Sequence, residues 1–475
     1  MCVFISCISD TQILEPEETD PDSKIYFSLQ LSVVSDSDTR SETIPDGHSQ
    51  REPEKGINRE NEISSAELYF FENNECVVHL TAFRTETESF QASMSQDELK
   101  ILNGREFTLY VVANGAGNVT DPLTDLYVPS GILSWKIGET LLPMTNADIV
   151  KVAFNLSDEE IRNSSREHPF RLLDSDKPVK LERCVSRFDF KDLNRTTGNN
   201  ENRRRDNLLP PFVYSLGETG LYVKIIAMQP VNVARKSYLF PLNSPEENEI
   251  ELRDTYLSNI FKKENGIGGN FFYNTPLADD SEWYYVNPST DNTGIFTDSS
   301  PIRDNEGYEA WCYVTENTLP AVCGTVQGVT TGVAFKVLLC NKEGNPLSKE
   351  ELTSSEAPWN DKIKFTESEG TVFAGDDISS AIPLESYKTA DGENAFAMVY
   401  YYWNQHDAGS GSSSATNPME FAVVRNNIYK LCVVSFDSLP RPYDPEANDK
   451  PSGQPGFSVN IKVLSWTKRN ISASW

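Results

Sequence analysis

Basic residues are scarce in this sequence. Its 475 residues hold 42 Lys and Arg against 71 Asp and Glu, a formal charge of 42 − 71 = −29. Nucleic acid and anionic membrane surfaces both require a basic footprint, so neither is an expected partner. Long apolar runs are lacking too. The longest, Ala395 to Trp403, has nine residues, against the roughly eighteen that carry a helix across a bilayer. Histidine occurs only as His48, His79, His168 and His406, and the eight cysteines show neither CxxC spacing nor clustering with histidine. A zinc site needs about four nitrogen or sulfur ligands close together, so no metal and no cofactor is expected. Nor is there an HExxH, a phosphate-binding glycine loop or a GxSxG elbow. Carboxylate pairs such as Asp376-Asp377 and Glu350-Glu351 stand among 71 acids and carry no catalytic signal. The chain is expected not to be an enzyme.

What is present is a globular composition, 38% hydrophobic with 11% aromatic residues, in a chain long enough for two or three domains. Helical periodicity is sparse. Ser95-Gln96-Asp97-Glu98 is a capping box followed by Leu99, Ile101 and Leu102 and closed by Gly104, and Ser157 to Glu160 repeats the signature,. Elsewhere the period is two: Leu68 to Phe71, Phe107 to Ala113, Val179 to Phe190, Gly220 to Met228, Val333 to Cys340, Ala397 to Trp403, Phe421 to Phe436 and Phe457 to Trp466. Short strands broken by Gly, Pro, Asn and Asp predict an all-β chain of β-sandwiches with short helices and long loops. Asp192 to Pro211, with Arg203, Arg204 and Arg205, reads as an exposed connection between two domains, Asn265 to Asn305 as a second loop region, and His406 to Asn417 as a loop tip,. Most cysteines sit inside apolar runs, as small buried residues do; the spacing of Cys312 and Cys323 leaves a bridge open.

The two ends carry the most informative pattern. In Lys24 to Val33, the residues Ile25, Phe27, Leu29, Leu31 and Val33 share one face, with mostly polar residues opposite,. Burial of these side chains contributes about 1.5–3 kcal/mol each, which makes this a core strand. A polar stretch, Ser35 to Asn61, follows and contains Arg40, Arg51 and Arg59. A trypsin-like protease acting there would detach a strand from its core. At the other end, Thr467 to Trp475 alternates again, with Ile471, Ala473 and Trp475 on one face. Nine residues span about 30 Å, a full strand. Two readings stand: a last strand of its own domain, or a strand added to the open sheet edge of another chain. Met1 to Cys7 has the form of a bacterial lipoprotein signal ending with Cys7 as the lipidated residue; the first Lys or Arg is Lys24, so the usual positive n-region does not precede it,.

Further segments resemble one family. Asn61-Glu62-Ile63 with Ala66 to Phe71 resembles the opening strand of a mature pilin. Phe107 to Asn114 resembles a "YVVAN" strand, Leu142-Pro143-Met144 an "LPM" turn, and Leu181 to Arg187 an "ERAVAR" strand. Thr315 to Thr318 and Tyr400 to Trp403 follow in order. Asn417 to Tyr429, of the form "PMEF..VRNN.Y", is the most specific piece, and Ile461 to Trp466 closes it. Together they resemble the type V pilins of Bacteroidales, specifically the Mfa-type fimbria major subunit (fimbrillin) family.

The resemblance implies two transthyretin-like β-sandwich domains and a structural, adhesion-supporting subunit of a cell-surface fimbria. It implies export to the outer membrane as a lipoprotein precursor, lipidated at Cys7, and cleavage by an Arg-specific protease, best matched at Arg40 with Arg51 and Arg59 as further candidates. Ile25, Phe27, Leu29, Leu31 and Val33 would then form the displaced strand, and Ile471, Ala473 and Trp475 of a neighbour the donor strand. The implied partners are identical or homologous pilin subunits, the processing protease, and anchor and tip subunits. The corresponding division is 1–23 signal remnant and linker, 24–205 N-terminal domain with a removable strand at 24–34, 206–466 C-terminal domain, and 467–475 donor strand. The alternative function is an outer-membrane surface glycan-binding lipoprotein, with Trp283, Tyr284, Tyr285, Trp311 and Trp403 as stacking platforms, against the commoner role of such aromatics as sandwich core or cross-strand pairs,.

Overall fold

A computed structural model describes residues 24–33, 54–85, 89–122, 125–174, 177–194, 209–240, 271–272, 283–286, 304, 306–317, 327–375, 380–389, 392, 394–405, 421–441 and 456–467. The fold is all-β. The first sheet runs in the order Phe170–Arg171, Lys24–Leu29, Phe90–Ser95, Glu75–Arg84, Ser65–Glu72, Arg105–Ala113, Met144–Asn146, Val179–Arg183, Leu31–Val33, with Val150–Phe154 added onto Arg105–Ala113. The segment 24–33 therefore occurs twice in that path, near one end and at the other. Alternation dictates its orientation: Ile25, Phe27, Leu29, Leu31 and Val33 are buried in the core this sheet encloses, while Gln30 is exposed,.

Two further sheets enclose a second core. One has the order Glu309–Thr315, Val185–Lys191, Asn427–Phe436, Phe457–Thr467, Glu54–Lys55; the other has Val213–Ser215, Tyr222–Val231, Gly332–Cys340, Asn394–Trp403, Glu385–Lys388. Phe188, Phe190, Tyr429 and Leu431 from the first pack with Val223, Phe335, Val337 and Tyr400 from the second. Edge-on and tilted ring pairs join the layers, Phe190 to Phe335 at 6.0 Å and Tyr400 to Phe436 at 4.8 Å between centroids,.

Helices are short. Gln96–Leu102 and Asp158–Asn163 begin at the expected capping boxes, Ser95 with Glu98 and Ser157 with Glu160. A third, Lys349–Leu352, starts at the same signature on Ser348 and Glu351. Its Glu351 belongs to the carboxylate pair considered above, and its role is to cap a helix.

Two expected strands are corrected. Val179 to Phe190 is not one strand: Val179–Arg183 belongs to the first sheet and Val185–Lys191 to the second, with Cys184 between them donating its N–H to the Pro143 carbonyl at 2.9 Å. Both halves are mostly buried, so the sequence carries no mark of the change of partner. Phe421 to Phe436 becomes a strand only from Asn427. Asn426 has φ of 58°, a left-handed conformation that interrupts extended backbone,. Cys312 is a free, buried thiol. Burial pushes the Cys184 thiol up to about 12 and the Cys432 thiol to about 11, which keeps them protonated packing groups,.

Candidate functional site

The seat of the segment 24–33 is built from three neighbours. Lys24–Leu29 pairs antiparallel with Phe90–Ser95 over six register positions, Lys24 opposite Ser95 and Leu29 opposite Phe90. On its other side Phe27 and Ser28 lie parallel to Phe170 and Arg171. Beyond Gln30, whose carbonyl accepts from the Val179 N–H at 2.8 Å, Leu31–Val33 runs parallel to Val179–Leu181. One segment thus covers two separate stretches of sheet edge.

Phe27 is the centre of this seat. Its ring lies 5.5 Å from that of Phe170, 6.2 Å from Phe154 and 6.3 Å from Phe70. Ser164 clasps the backbone of the same strand: its Oγ accepts from the Tyr26 N–H at 2.8 Å and donates to the Tyr26 carbonyl at 2.7 Å. Phe154, Ser164 and Phe170 also line a cavity of about 660 Å³ with His168 and Asn163. The seat can therefore hold an apolar strand by backbone pairing and shape, with one large aromatic socket. Ser164, Phe154 and Phe170 went unrecognised in the sequence because each lies more than a hundred residues from the strand it holds.

The end of the arginine-bearing stretch carries a second constellation, again missed from sequence. Glu60 is fully buried. Its Oε2 accepts from Arg187 Nη1 at 2.8 Å and its Oε1 from the Tyr313 hydroxyl at 2.6 Å. Arg187 also grips Asp189 through Nε at 2.7 Å and Nη2 at 2.9 Å. Arg183 donates from Nε to the Glu60 carbonyl at 2.9 Å and from Nη1 to Asn426 Oδ1 at 2.8 Å. Burial pushes the Arg183 guanidinium down to about 9, with Glu60 opposing the shift, whereas Asp189 and Glu60 outweigh burial at Arg187 and raise it,. Two arginines four residues apart, interleaved with apolar residues of a strand, were the available signal, since charges on a buried strand require buried partners. Arg425, in the most specific resemblance segment, makes a neighbouring pair from its Nε to Glu316 Oε2 at 2.7 Å.

Of the expected site residues, the apolar face Ile25 to Val33 is described as above. Cys7, Arg40, Arg51, Ile471, Ala473 and Trp475 lie outside the described residues, as do Asp376 and Asp377. Arg59 is described, with its side chain half exposed. Trp283, Trp311 and Trp403 are buried members of the cores, so these three are not available as glycan-stacking platforms. Tyr284 is partly buried. Among the described residues there is no cluster able to hold a metal ion and no helix long and apolar enough to cross a membrane.

The fold and the seat define an all-β protein in which one ten-residue segment, 24–33, completes a sheet at two edges. Residues 394–471 match the family model described as major fimbrial subunit protein type IV, fimbrillin, C-terminal. Over that stretch the chain is similar to fimbrial subunits, which supports the part of the resemblance read from Tyr400 to Trp466. A fimbrilin from Porphyromonas gingivalis W83 is 14% identical at a TM-score of 0.41, covering 95% of this chain and 99% of that one. The tip fimbrial protein Mfa3 from Porphyromonas gingivalis, with a C-terminal truncation, is 9% identical at a TM-score of 0.33, covering 93% and 100%. No curated protein matches the chain.

Proposed function

We propose that this chain is a structural subunit of a cell-surface fimbria, made as a precursor and activated by loss of its first core strand. In this reading Cys7 is lipidated and carries the precursor to the outer membrane, and an Arg-specific protease cuts after Arg40. The segment ending in Val33 then leaves, and the Ile471, Ala473 and Trp475 face of a neighbouring copy fills the seat. Anchor and tip subunits of the same type would close the two ends of the fibre, which would support adhesion. The domain division at 205/206 belongs to the same proposal; the chain crosses from one core to the other ahead of that position, within Val185–Lys191, with Val185 in one core and Phe188 in the other.

One observation carries the proposal: a segment of ten residues, 24–33, contributes its whole apolar face to the first core while pairing with both edges of that core's sheet. A seat emptied of such a strand is an apolar groove rimmed by unpaired N–H and C=O groups. Those groups favour another strand over water-filled space.

N-terminal sequencing of the native surface polymer is the direct test. Subunits beginning at Ser41 are expected; subunits that still begin at Cys7 would remove the processing step from the account.

A further inference from the structure

The stretch Gly56–Glu62, between the first core strand and the next long one, has its backbone hydrogen-bonded on both sides of Arg59. The Arg59 N–H donates to the Gly138 carbonyl at 3.3 Å, and the Arg59 carbonyl accepts from the Glu62 N–H at 3.1 Å. The Glu60 N–H donates to the Ile57 carbonyl at 2.9 Å, and the Glu60 carbonyl accepts from Arg183 Nε at 2.9 Å. Residues 58–61 form a 3₁₀ turn rather than an extended run. The Glu60 carboxylate ties this turn inward on Arg187 and Tyr313 and also accepts from the Ile57 N–H at 2.6 Å. Asn61 closes it outward, its Nδ2 donating to the Gly56 carbonyl at 2.9 Å. A Cβ at position 56 would run into the Asn61 side chain, so any other residue there would displace it.

A protease that cuts after arginine binds its substrate as an extended strand on both sides of the scissile bond, using the substrate's own peptide groups. The half-exposed Arg59 side chain invites such an enzyme, but the backbone around it is committed elsewhere. We propose that Glu60 is a locking post. It withholds Arg59 from arginine-directed cleavage, and it keeps residues 56–62 docked on Arg183, Arg187 and Tyr313 when the chain is cut further upstream. Glu60 acts here as a positioning residue, through the conformation of its neighbour. The biological use of the lock rests on the processing proposed above; the lock itself does not.

The experiment digests the full-length chain under native conditions with an Arg-specific endoprotease and follows new N-termini against time. Cutting tracks the locally opened population, so a product beginning at Glu60 should form about 100-fold more slowly than products beginning at Ser41 or Glu52. A Glu60 N-terminus arising as fast as those two overturns the proposal. If neither Ser41 nor Glu52 appears while Arg59 stays intact, the processing reading fails and the lock stands. Glu60→Gln should speed the cut after Arg59 while the buried Arg183, Arg187 and Arg425 remain uncut. Tyr313→Phe removes one donor and keeps the ring, a lighter change that should raise the same cut by about fivefold. No acceleration in either variant shows that Glu60 is not the post.

Discussion

Phe27 occupies a socket of three other phenylalanines, Phe70, Phe154 and Phe170, contributed by strands distant in sequence. Truncating a fully buried Phe removes its transfer free energy and leaves a cavity, so Phe27→Ala should lower stability by about 3–5 kcal/mol in urea unfolding. If the loss is below that of an ordinary surface change, the strand is not part of the core in solution. The apolar face of this strand was legible from alternation alone. Its socket was not, because no local pattern says which distant aromatic rings will meet. Glu60 was hidden for a different reason: it lies in a charged stretch where a solvated carboxylate is the usual outcome, and only its apposition to Arg187 and Tyr313 makes burial tolerable,.

Elements divide into those that local rules specify and those that long-range pairing specifies. Among the described residues, each of the three α-helices starts at a serine whose hydroxyl and following glutamate satisfy free N–H groups, and that chemistry is confined to four residues,. Strands are different. Leu181 to Arg187 contains the point where the chain passes from one sheet to the other, and a run buried on both faces conceals it,. The segment 24–33 is the element on which the proposed function turns. A labelled peptide with the sequence of residues 467–475 should bind the chain after arginine-directed cleavage and removal of the native strand in mild denaturant, and should not bind the uncut chain. Replacing its Trp475 equivalent with Ala should weaken binding by about tenfold or more, the consequence of losing a large aromatic from a socket. Equal uptake by cut and uncut protein would mean that the seat of 24–33 is not the binding place.

At the scale of the whole molecule, charge and edge geometry oppose each other. A formal charge of −29 makes any two copies repel, yet the proposed assembly requires them to dock end to end. Screening shortens the reach of that repulsion from about 30 Å at 0.01 M salt to about 8 Å at 0.15 M. Elongation of the processed protein, followed by light scattering, should therefore speed up with added salt over this range. A rate that falls with salt would point to attractive charge pairing at the joint instead.

The order and alternation of residues determined that this chain is all-β, that its first strand belongs in a core and that its helices are brief, since period-two burial and serine caps act over a few residues. Only the tertiary structure decided that the first strand spans two sheet edges, that three tryptophans lie inside rather than at the surface, and that Arg59 is closed to extended binding. Those outcomes depend on which distant backbone and charged groups are brought into register, and nothing within a short window of sequence encodes that meeting.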